Sequence, residues 1–341
     1  MTTEGQQGMS PAAGAPAGVR SIAPYRPGRP IGEVARELGL DPAGIVKLAS
    51  NENPLGMSPK AVAAAQQVLA GGARYPDANG HDLKQALARH YGGDAGWITL
   101  GNGSNDILEL AARALVGPGQ GIIHSRYAFI VYPLVAQAIG AVGIEVPDAD
   151  LGHDLAAMLA AITPETRMVF IANPNNPTGT FIPGDVLLRF LEQVPPQVAV
   201  VLDEAYTEYL APEQRYDALA WVKRFPNLIV SRTFSKAYGL AGLRVGFAVA
   251  QPALTDLMGR VRQPFNVNSA ALAAAEAVLD DADYLTRSYQ INREGRAQLV
   301  QAFEALGLEY VPSSGNFVLV KVGDAAGIND RLLRAGIIVR P

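Results

Sequence analysis

The sequence predicts an α/β protein with a doubly wound, mainly parallel sheet in a large domain and a smaller α+β domain beside it. Continuous apolar runs, without polar alternation, recur through the middle of the chain and are typical of strands buried on both faces of such a sheet. Segments with helical periodicity separate these runs, which is the order expected of a doubly wound fold. A length of 341 residues suits a large core with a smaller partner.

The helices of the first hundred residues are indicated by their periodicity and by their end signals. A helical pattern covers residues 31–40, with a glycine at its close. A second helix is predicted over residues 59–69, because Ser58 is a good N-cap and Pro59 fits the first helical position. A third helix ends near Gly92.

Strands and helices alternate from residue 97 onward. The predicted strands are 97–100, 121–124, 168–172, 198–202, 228–230 and 245–249. A helix over 104–115 follows the first strand, and another begins near Phe129. The elements predicted beyond Pro264 are helices over 270–279 and 284–306, a strand over 316–321 and a strand-like run over 336–341.

This order of elements divides the chain into four regions. They are a disordered tail over 1–19, an amino-terminal arm and part of the small domain over 20–50, the large domain over 51–264 and the small carboxyl-terminal domain over 265–341. The tail is rich in Gly, Ala, Pro and Gln, which disfavours a packed core. The last region stops inside a strand-like run, so we expect it to be incomplete.

The composition excludes several classes of protein. Hydrophobic residues make up 49% of the chain, charged residues 18%, and the net charge is −4, which is ordinary for a globular enzyme. No basic block supports a nucleic-acid or membrane-surface partner, and no apolar run reaches bilayer length. The absence of cysteine excludes disulfides and thiolate metal sites, and the four histidines lack a metal-ligand spacing. Without a secretory signal pattern, we expect a cytoplasmic protein that binds no metal.

Lys236 is the residue that most sharply indicates chemistry. It lies among glycine, alanine and leucine in the segment 233–244, directly after the strand-like run 228–230. Burial among such neighbours lowers the pKa of an ammonium group, and Schiff-base chemistry requires a desolvated amine.

Asp203 ends the apolar run 198–202, so it is expected at the carboxyl edge of the sheet, where ligands bind in open α/β folds. Taken alone, an N-cap or salt-bridge aspartate is the more common explanation. With Lys236 in the same chain, we favour a carboxylate that holds a pyridine nitrogen protonated and makes the ring an electron sink. Tyr206 would place its hydroxyl near the ring oxygen; a half-buried structural tyrosine is the alternative.

Two turns complete the pattern. The segment 173–179 carries two Asn-Pro pairs, which favours Asn176 as a fixed amide donor beside the ring oxygen, with a rigid turn as the alternative. Residues 101–106 form a glycine turn that opens a helix, where free N–H groups bind phosphate; a bare glycine turn is the alternative. This turn fails as a dinucleotide fingerprint because Asp106 stands at the third glycine position. Ser235 and Arg244 would complete a phosphate site. In this order, the segments predict a pyridoxal-phosphate site.

The sequence resembles the fold-type-I pyridoxal-phosphate aminotransferases, and within them the histidinol-phosphate aminotransferases, from about residue 22 to the last residue. The segments shared across the superfamily are 173–179, 203–206 and 232–246. The segments that narrow the resemblance are 23–25, 51–56 and 74–76, together with the Ser-Lys-Ala-Tyr-Gly-Leu-Ala-Gly-Leu-Arg form of 235–244.

This resemblance implies a role for each site residue. Those implied at the cofactor are Lys236 as its covalent anchor, Asp203 at the ring nitrogen, Asn176 and Tyr206 at the ring oxygen, Phe129 stacked on the ring, and Ser104, Asn105, Ser235 and Arg244 at the phosphate. A homodimer is also implied, in which Tyr75 reaches the cofactor of the neighbouring subunit. The implied substrate side consists of Tyr25, Asn53 and Arg340.

The implied reaction is a transamination between histidinol phosphate and 2-oxoglutarate that yields imidazole-acetol phosphate and glutamate. Members of this family continue past residues 340–341 into a segment with a further arginine, so we expect part of the substrate side to be missing here. An aromatic amino-acid aminotransferase, a decarboxylase of a phosphorylated amino acid and a truncated cofactor-binding protein without turnover stay open as alternatives. A nicotinamide dehydrogenase is disfavoured by the failed fingerprint.

Overall fold

The computed structural model describes residues 10–25 and 28–341. Its helices α1–α13, in chain order, are Ala17–Ser21, Ile31–Leu38, Pro59–Leu69, His81–Tyr91, Ser104–Leu115, Val131–Ala138, Leu155–Ala160, Gly184–Leu191, Ala218–Trp221, Pro252–Val261, Ser269–Leu279, Ala282–Ala305 and Ala325–Arg334. Its strands β1–β13 are Val46–Lys47, Ile98–Gly101, Gly121–Ser125, Val142–Val146, Asp148–Ala149, Gly152–His153, Thr166–Ala172, Ala199–Asp203, Leu228–Thr233, Gly246–Val249, Tyr310–Val311, Leu319–Val320 and Ile337–Ile338.

The central sheet confirms the predicted fold class. Within the described residues it has seven strands, in the order β2-β10-β9-β8-β7-β3-β4. Strand β10 runs antiparallel to both of its neighbours, and the pairs from β9 to β4 are parallel. No continuous apolar run predicts strand β4, because it lies at the exposed edge, where Val142, Ile144 and Val146 alternate with glycine and glutamate.

Burial on both faces explains the continuous apolar runs. On β7, Met168 and Phe170 belong to the core cluster formed with helices α5, α6 and α10. Val169 and Ile171, which point to the opposite face, pack with α8 and α9. Because neither face meets solvent, the strand needs no polar alternation.

A third layer of helices packs at the β2 and β10 side of the sheet. Helix α11 contacts α3 and α4, and its alanines share a core cluster with Phe247 of β10. The sequence assigns this helix to the small domain, with a boundary at residue 264. Because α11 packs against α3 and α4, we propose that it belongs to the large domain, which would then end after Leu279.

The two ends of the chain meet in a small parallel sheet. Strand β1 pairs with β13, with Val46 opposite Ile337, and Ile338 shares a small core with Val34 and Ala35 of α2. The strand predicted over 316–321 is much shorter, since β12 pairs only briefly with β11.

The amino-terminal segment differs in part from the predicted disordered tail. Residues 1–9 of that tail lie outside the described residues. Residues 10–16 form turns, and helix α1 contacts α6, with Gly18 against the backbone of Gln137. In the part of the chain that the structure describes, no helix is long and apolar enough to cross a bilayer.

Candidate active site

The pairing of the strands brings the predicted site segments to one edge of the sheet. Asp203 at the end of β8 lies between Ala172 of β7 and Ser231 of β9. Strand β10 runs the opposite way, so Gly246 at its start pairs with the last residues of its neighbours, Gly101 and Thr233. Five segments distant in sequence therefore share the carboxyl edge where open α/β sheets bind ligands.

Lys236 follows β9 and is half-buried. Its Nζ donates a hydrogen bond of 2.9 Å to the carbonyl oxygen of Ser50 and lies 5.7 Å from the ring centroid of Tyr206. Burial, and then the nearby charge of Arg244, lower the pKa of Lys236 to about 8. A sizeable fraction of the amine is therefore neutral near physiological pH, as a nucleophile requires.

Asp203 is buried, and one of its oxygens awaits a partner. Oδ2 accepts a hydrogen bond of 2.9 Å from the hydroxyl of Tyr132, whereas Oδ1 is buried with no hydrogen-bond partner among the described residues. Burial raises the pKa of Asp203 to about 6, while the Tyr132 hydrogen bond opposes this rise. An unmatched buried carboxylate oxygen is costly, and the N–H of a protonated pyridine ring would satisfy it.

The hydroxyl of Tyr206 has its acceptor positions filled. It accepts hydrogen bonds from the side-chain amides of Asn176, at 3.1 Å, and Asn51, at 3.0 Å. Burial raises its pKa, so the phenol keeps its proton. Among the described residues that proton has no acceptor, so it is available to a ring oxygen. The amides of Asn173 and Asn175 are bound within their own turn and loops, so Asn176 is the asparagine of this segment that faces Tyr206.

The phosphate end of the predicted site is a close-fitting cradle. Gly103 has φ of 83°, and a Cβ at this position would collide with the guanidinium of Arg244. Arg244 donates to Ser235 Oγ at 3.1 Å, which links two of the predicted phosphate residues. Ser104 is buried at the first position of α5, and Asn105 is exposed at the second.

The start of α5 has the free donors that an anion needs. Gly103 is its N-cap and supplies no side-chain cap, so within the described structure the first N–H groups of the helix are not capped by a side chain. Gly246 lets the backbones approach, since a Cβ there would lie 2.6 Å from the amide nitrogen of Ser104. A helix N-terminus beside an arginine is suited to a phosphate group.

Phe129 lies after β3 and is half-buried. Its ring meets Tyr132 edge-on, with centroids 5.9 Å apart and an interplanar angle of 86°. Tyr132 donates to Asp203, so one ring separates Phe129 from the proposed partner of the ring nitrogen.

The predicted substrate residues do not form one group. Arg340 donates to the hydroxyl of Tyr25 at 3.1 Å, and its guanidinium lies 5.0 Å above that ring. Asn53 uses both amide N–H groups within the chain, donating to the carbonyl of Ala237 at 2.9 Å and to Ser288 Oγ at 2.8 Å. Asn53 therefore anchors α12 to the segment after Lys236, and its donors are not available to a substrate.

Tyr75 is also separate from the group of site residues. It is 82% exposed and stacks on Phe265 with ring centroids 4.6 Å apart. An exposed tyrosine in this position is available to a second chain.

Two residues of the site were missed by sequence reasoning. Tyr132 lies in an apolar helix, where a tyrosine looks like an ordinary core residue, and no pattern signalled it. Asn51 lies in the polar segment 51–56, whose composition is a usable signal, although the family resemblance implies Asn53 from this segment and not Asn51. The carbonyl of Asn51, a residue with φ of 53°, accepts a hydrogen bond from the Asn316 side chain, and the Asn51 side chain donates to Tyr206.

A buried ion pair braces the strand ends next to Asp203. Arg232 Nη2 lies 2.8 Å from Glu204 Oε2, and both side chains are almost fully buried. The backbone N–H of Glu204 donates to the carbonyl of Ser231. The ion pair therefore joins the end of β8 to β9, one residue beyond the facing residues Asp203 and Ser231.

Comparison with known proteins gives the family. The model of the class I and II aminotransferases matches residues 43–341, and the chain therefore belongs to that family. Histidinol-phosphate aminotransferase 2 of Ralstonia nicotianae is 65% identical over 327 residues, which are 95% of this chain and 87% of the relative. Histidinol-phosphate aminotransferase 1 of Cupriavidus pinatubonensis is 63% identical and covers 100% of this chain and 92% of its own length.

Solved structures agree with this family. The crystal structure of histidinol-phosphate aminotransferase from Sinorhizobium meliloti in complex with pyridoxal 5'-phosphate has a TM-score of 0.86 at 32% identity, covering 95% of this chain and 88% of that chain. Aspartate aminotransferase from Thermus thermophilus with maleate has a TM-score of 0.82 at 24% identity, covering 98% and 92%, and shares the fold. The resemblance inferred from the motifs is confirmed, as is the prediction of an aminotransferase.

Proposed function

We propose that this chain transfers an amino group between histidinol phosphate and 2-oxoglutarate with pyridoxal phosphate as its cofactor. The observation that carries this proposal is the 65% identity over 95% of the chain with a protein named for that substrate. The free oxygen of Asp203 and the amine of Lys236 support the cofactor, because they match its ring nitrogen and its aldehyde. The solved relative that contains pyridoxal 5'-phosphate supports it as well.

The residues of the site divide the work of this reaction. When bound, pyridoxal phosphate supplies an electron sink for the carbanion left when the substrate Cα loses its proton. Lys236 would anchor the cofactor and, once released, would take the Cα proton and deliver it to the carbon of the cofactor's former aldehyde group. Asp203 holds the ring nitrogen protonated, and the Tyr206 hydroxyl donates to the ring oxygen with Asn176 behind it.

The phosphate group is assigned to the start of α5. Ser104 and Asn105 contribute from the first turn of that helix, while Ser235 and Arg244 contribute side-chain donors. Phe129 is assigned to the face of the ring. Tyr25 and Arg340, which contact one another, are proposed to meet the substrate.

We further propose a homodimer in which Tyr75 completes the phosphate site of the partner. Its exposure of 82% supports this role, since a monomer leaves the ring in solvent. Partners other than small molecules and a second copy of the chain are not proposed. The cytoplasmic location expected from the sequence stays a prediction.

The proposal is tested by assaying the purified protein with histidinol phosphate or phenylalanine as amino donor, each with 2-oxoglutarate. We expect kcat/KM to be higher for histidinol phosphate. A preference for phenylalanine would establish the aromatic aminotransferase instead, and no turnover with either donor would establish the cofactor-binding protein. Lys236→Ala is the matched variant, and normal turnover in it would refute the assignment of the lysine.

A further inference from the structure

Tyr132 is held rigidly against the site from within the core. Its side chain is fully buried, and its ring stacks on Phe170 of β7 with centroids 4.5 Å apart and an interplanar angle of 2°. Asp203 lies on the same face of the sheet, since it is two residues beyond Val201, which belongs to the core cluster of Tyr132 and Phe170. The phenol therefore cannot turn away from the carboxylate without disrupting the core.

The two carboxylate oxygens of Asp203 have different surroundings. Oδ2 accepts the Tyr132 hydroxyl at 2.9 Å, and Oδ1 has no partner among the residues that the structure describes. The carboxylate group is planar, so the hydrogen bond that holds Oδ2 also fixes the position of Oδ1. We propose that Tyr132 is a positioning residue, which keeps Asp203 ionised and holds its free oxygen in place for the ring nitrogen of the cofactor. This inference rests on the pairing of Asp203 with the ring nitrogen under the proposed function.

The direction of the effect on Asp203 follows from the groups around it. Burial raises the pKa of this carboxyl and the adjacent Glu204 raises it further, whereas the Tyr132 hydrogen bond, the backbone N–H of Ala205 and the Lys236 charge lower it, in that order of size. Tyr206, also nearby, keeps its proton. The phenol donor stabilises the carboxylate form, so its removal moves the pKa of Asp203 above about 6 and towards neutrality. A protonated carboxyl is a poorer acceptor for a pyridinium N–H.

The test is the affinity of cofactor-free full-length protein for pyridoxal 5'-phosphate, measured from about pH 5.5 to 8.5. In Tyr132→Phe we expect affinity at neutral pH to fall about tenfold, the loss of one charge-assisted hydrogen bond. The fall in affinity on the acid side should also begin at a higher pH than in the unaltered protein, because Asp203 then protonates earlier. Tyr91→Phe is the control, since it removes a phenol hydroxyl that pairs with Tyr238 at 3.2 Å.

A second probe separates positioning from general destabilisation. In an analogue of pyridoxal 5'-phosphate, a C–H group replaces the ring nitrogen, so Asp203 has no N–H to accept. We expect Tyr132→Phe and the unaltered protein to bind this analogue alike. The inference would be overturned if Tyr132→Phe lost affinity equally for both probes. It would also be overturned if the fall in affinity on the acid side began at the same pH in Tyr132→Phe as in the unaltered protein.

Two outcomes keep this inference distinct from the proposed function. If the unaltered protein binds the analogue and pyridoxal 5'-phosphate equally, the pairing of Asp203 with the ring nitrogen is wrong and the inference falls with it. If it discriminates while Tyr132→Phe leaves the pH profile unmoved, only the inference is wrong. Should Tyr132→Phe fail to fold, Phe170→Leu is the second variant. It removes the ring stacked on Tyr132 but keeps the Tyr132 hydroxyl. We expect its fall in affinity on the acid side to begin at a higher pH than in the unaltered protein, by a smaller shift.

Discussion

The environment of Lys236 determines when its amine becomes reactive. Burial and the charge of Arg244 lower its pKa to about 8, whereas the pKa of a lysine in water is about 10.4. The neutral fraction therefore grows as pH rises through about 8. We predict that the rate of covalent capture of pyridoxal phosphate by cofactor-free protein rises with a midpoint near that pH, as followed by stopped-flow absorbance. The amine of Nα-acetyl-lysine amide is the control, and a protein midpoint as high as that of this compound would contradict the prediction.

Gly103 is the position where a single methyl group should damage the phosphate site. An added Cβ would collide with the Arg244 guanidinium, and φ of 83° disfavours any L side chain. We predict that Gly103→Ala weakens cofactor binding by tenfold or more, roughly one displaced charge-assisted contact, measured by equilibrium titration. Gly242→Ala is the matched control, because its Cβ would meet no described atom within 4 Å. Equal cofactor affinities of the two variants would refute the proposed phosphate site at Gly103 and Arg244.

The residues that sequence reasoning found are those whose chemistry is unusual for their local context. Lys236 among small residues and Asp203 at the end of an apolar run are conspicuous in one dimension. Tyr132 is not, since an apolar helix with a tyrosine is ordinary, and only the packing of α6 on the sheet brings its hydroxyl to Asp203. The predicted substrate role of Asn53 is unsupported for a similar reason, because its amide donors are used by Ala237 and Ser288.

The start of α3 depends on one serine that has two roles. Ser58 Oγ caps the helix by accepting from the Lys60 N–H at 3.2 Å, and the same hydroxyl donates to Asp281 next to α12. We predict that Ser58→Ala lowers the free energy of unfolding by about 2 kcal/mol, the sum of a lost cap and an unmatched buried acceptor.

Lys60→Ala is the matched control for this serine. It also removes a contact to Asp281, but the lysine side chain is 60% exposed, so we expect a change within about 0.5 kcal/mol. Urea denaturation measures both variants. Similar losses from the two substitutions would mean that the ion pair, and not the cap, joins the helices.

At the level of elements, local signals located helices better than peripheral strands. The helix predicted over 59–69 coincides with α3, because Ser58 and Pro59 are local start signals. Edge strand β4 was not predicted, and strand β12 was predicted to be longer than it is. A partly exposed strand is defined by its pairing rather than by its own composition.

The whole assembly is tested through Tyr75. If it completes the partner's site, a mixed dimer of Lys236→Ala and Tyr75→Ala chains has one intact site, made from the lysine of one chain and the tyrosine of the other. Equal mixing should then restore activity to about a quarter of the intact sites, because half of the dimers are mixed and each has one good site. Denaturing and refolding the two variants together, followed by the transamination assay, measures this. Refolding each variant alone is the control, and a mixture no more active than the separate variants would contradict the exchange of Tyr75.

Packing across the whole molecule also decided how its regions are divided. The apolar composition of helix α11 fits either domain, and its contacts with α3 and α4 are the reason for proposing that it belongs to the large domain. Strands β1 and β13 are nearly three hundred residues apart and only two residues long, and their pairing joins the segment after α2 to the last strand of the chain.

Apolar periodicity and residue chemistry are local properties, so the fold class and the family could be predicted from the sequence, and Lys236 could be proposed from it as the reactive lysine. Three contacts could be read from the tertiary structure alone: among the described residues Oδ1 of Asp203 has no partner, Tyr132 and Asn51 reach Asp203 and Tyr206, and the donors of Asn53 are engaged. Those facts depend on distances between segments that are far apart in the chain. The register of the strands and the docking of α6 set such distances, and no local pattern encodes them.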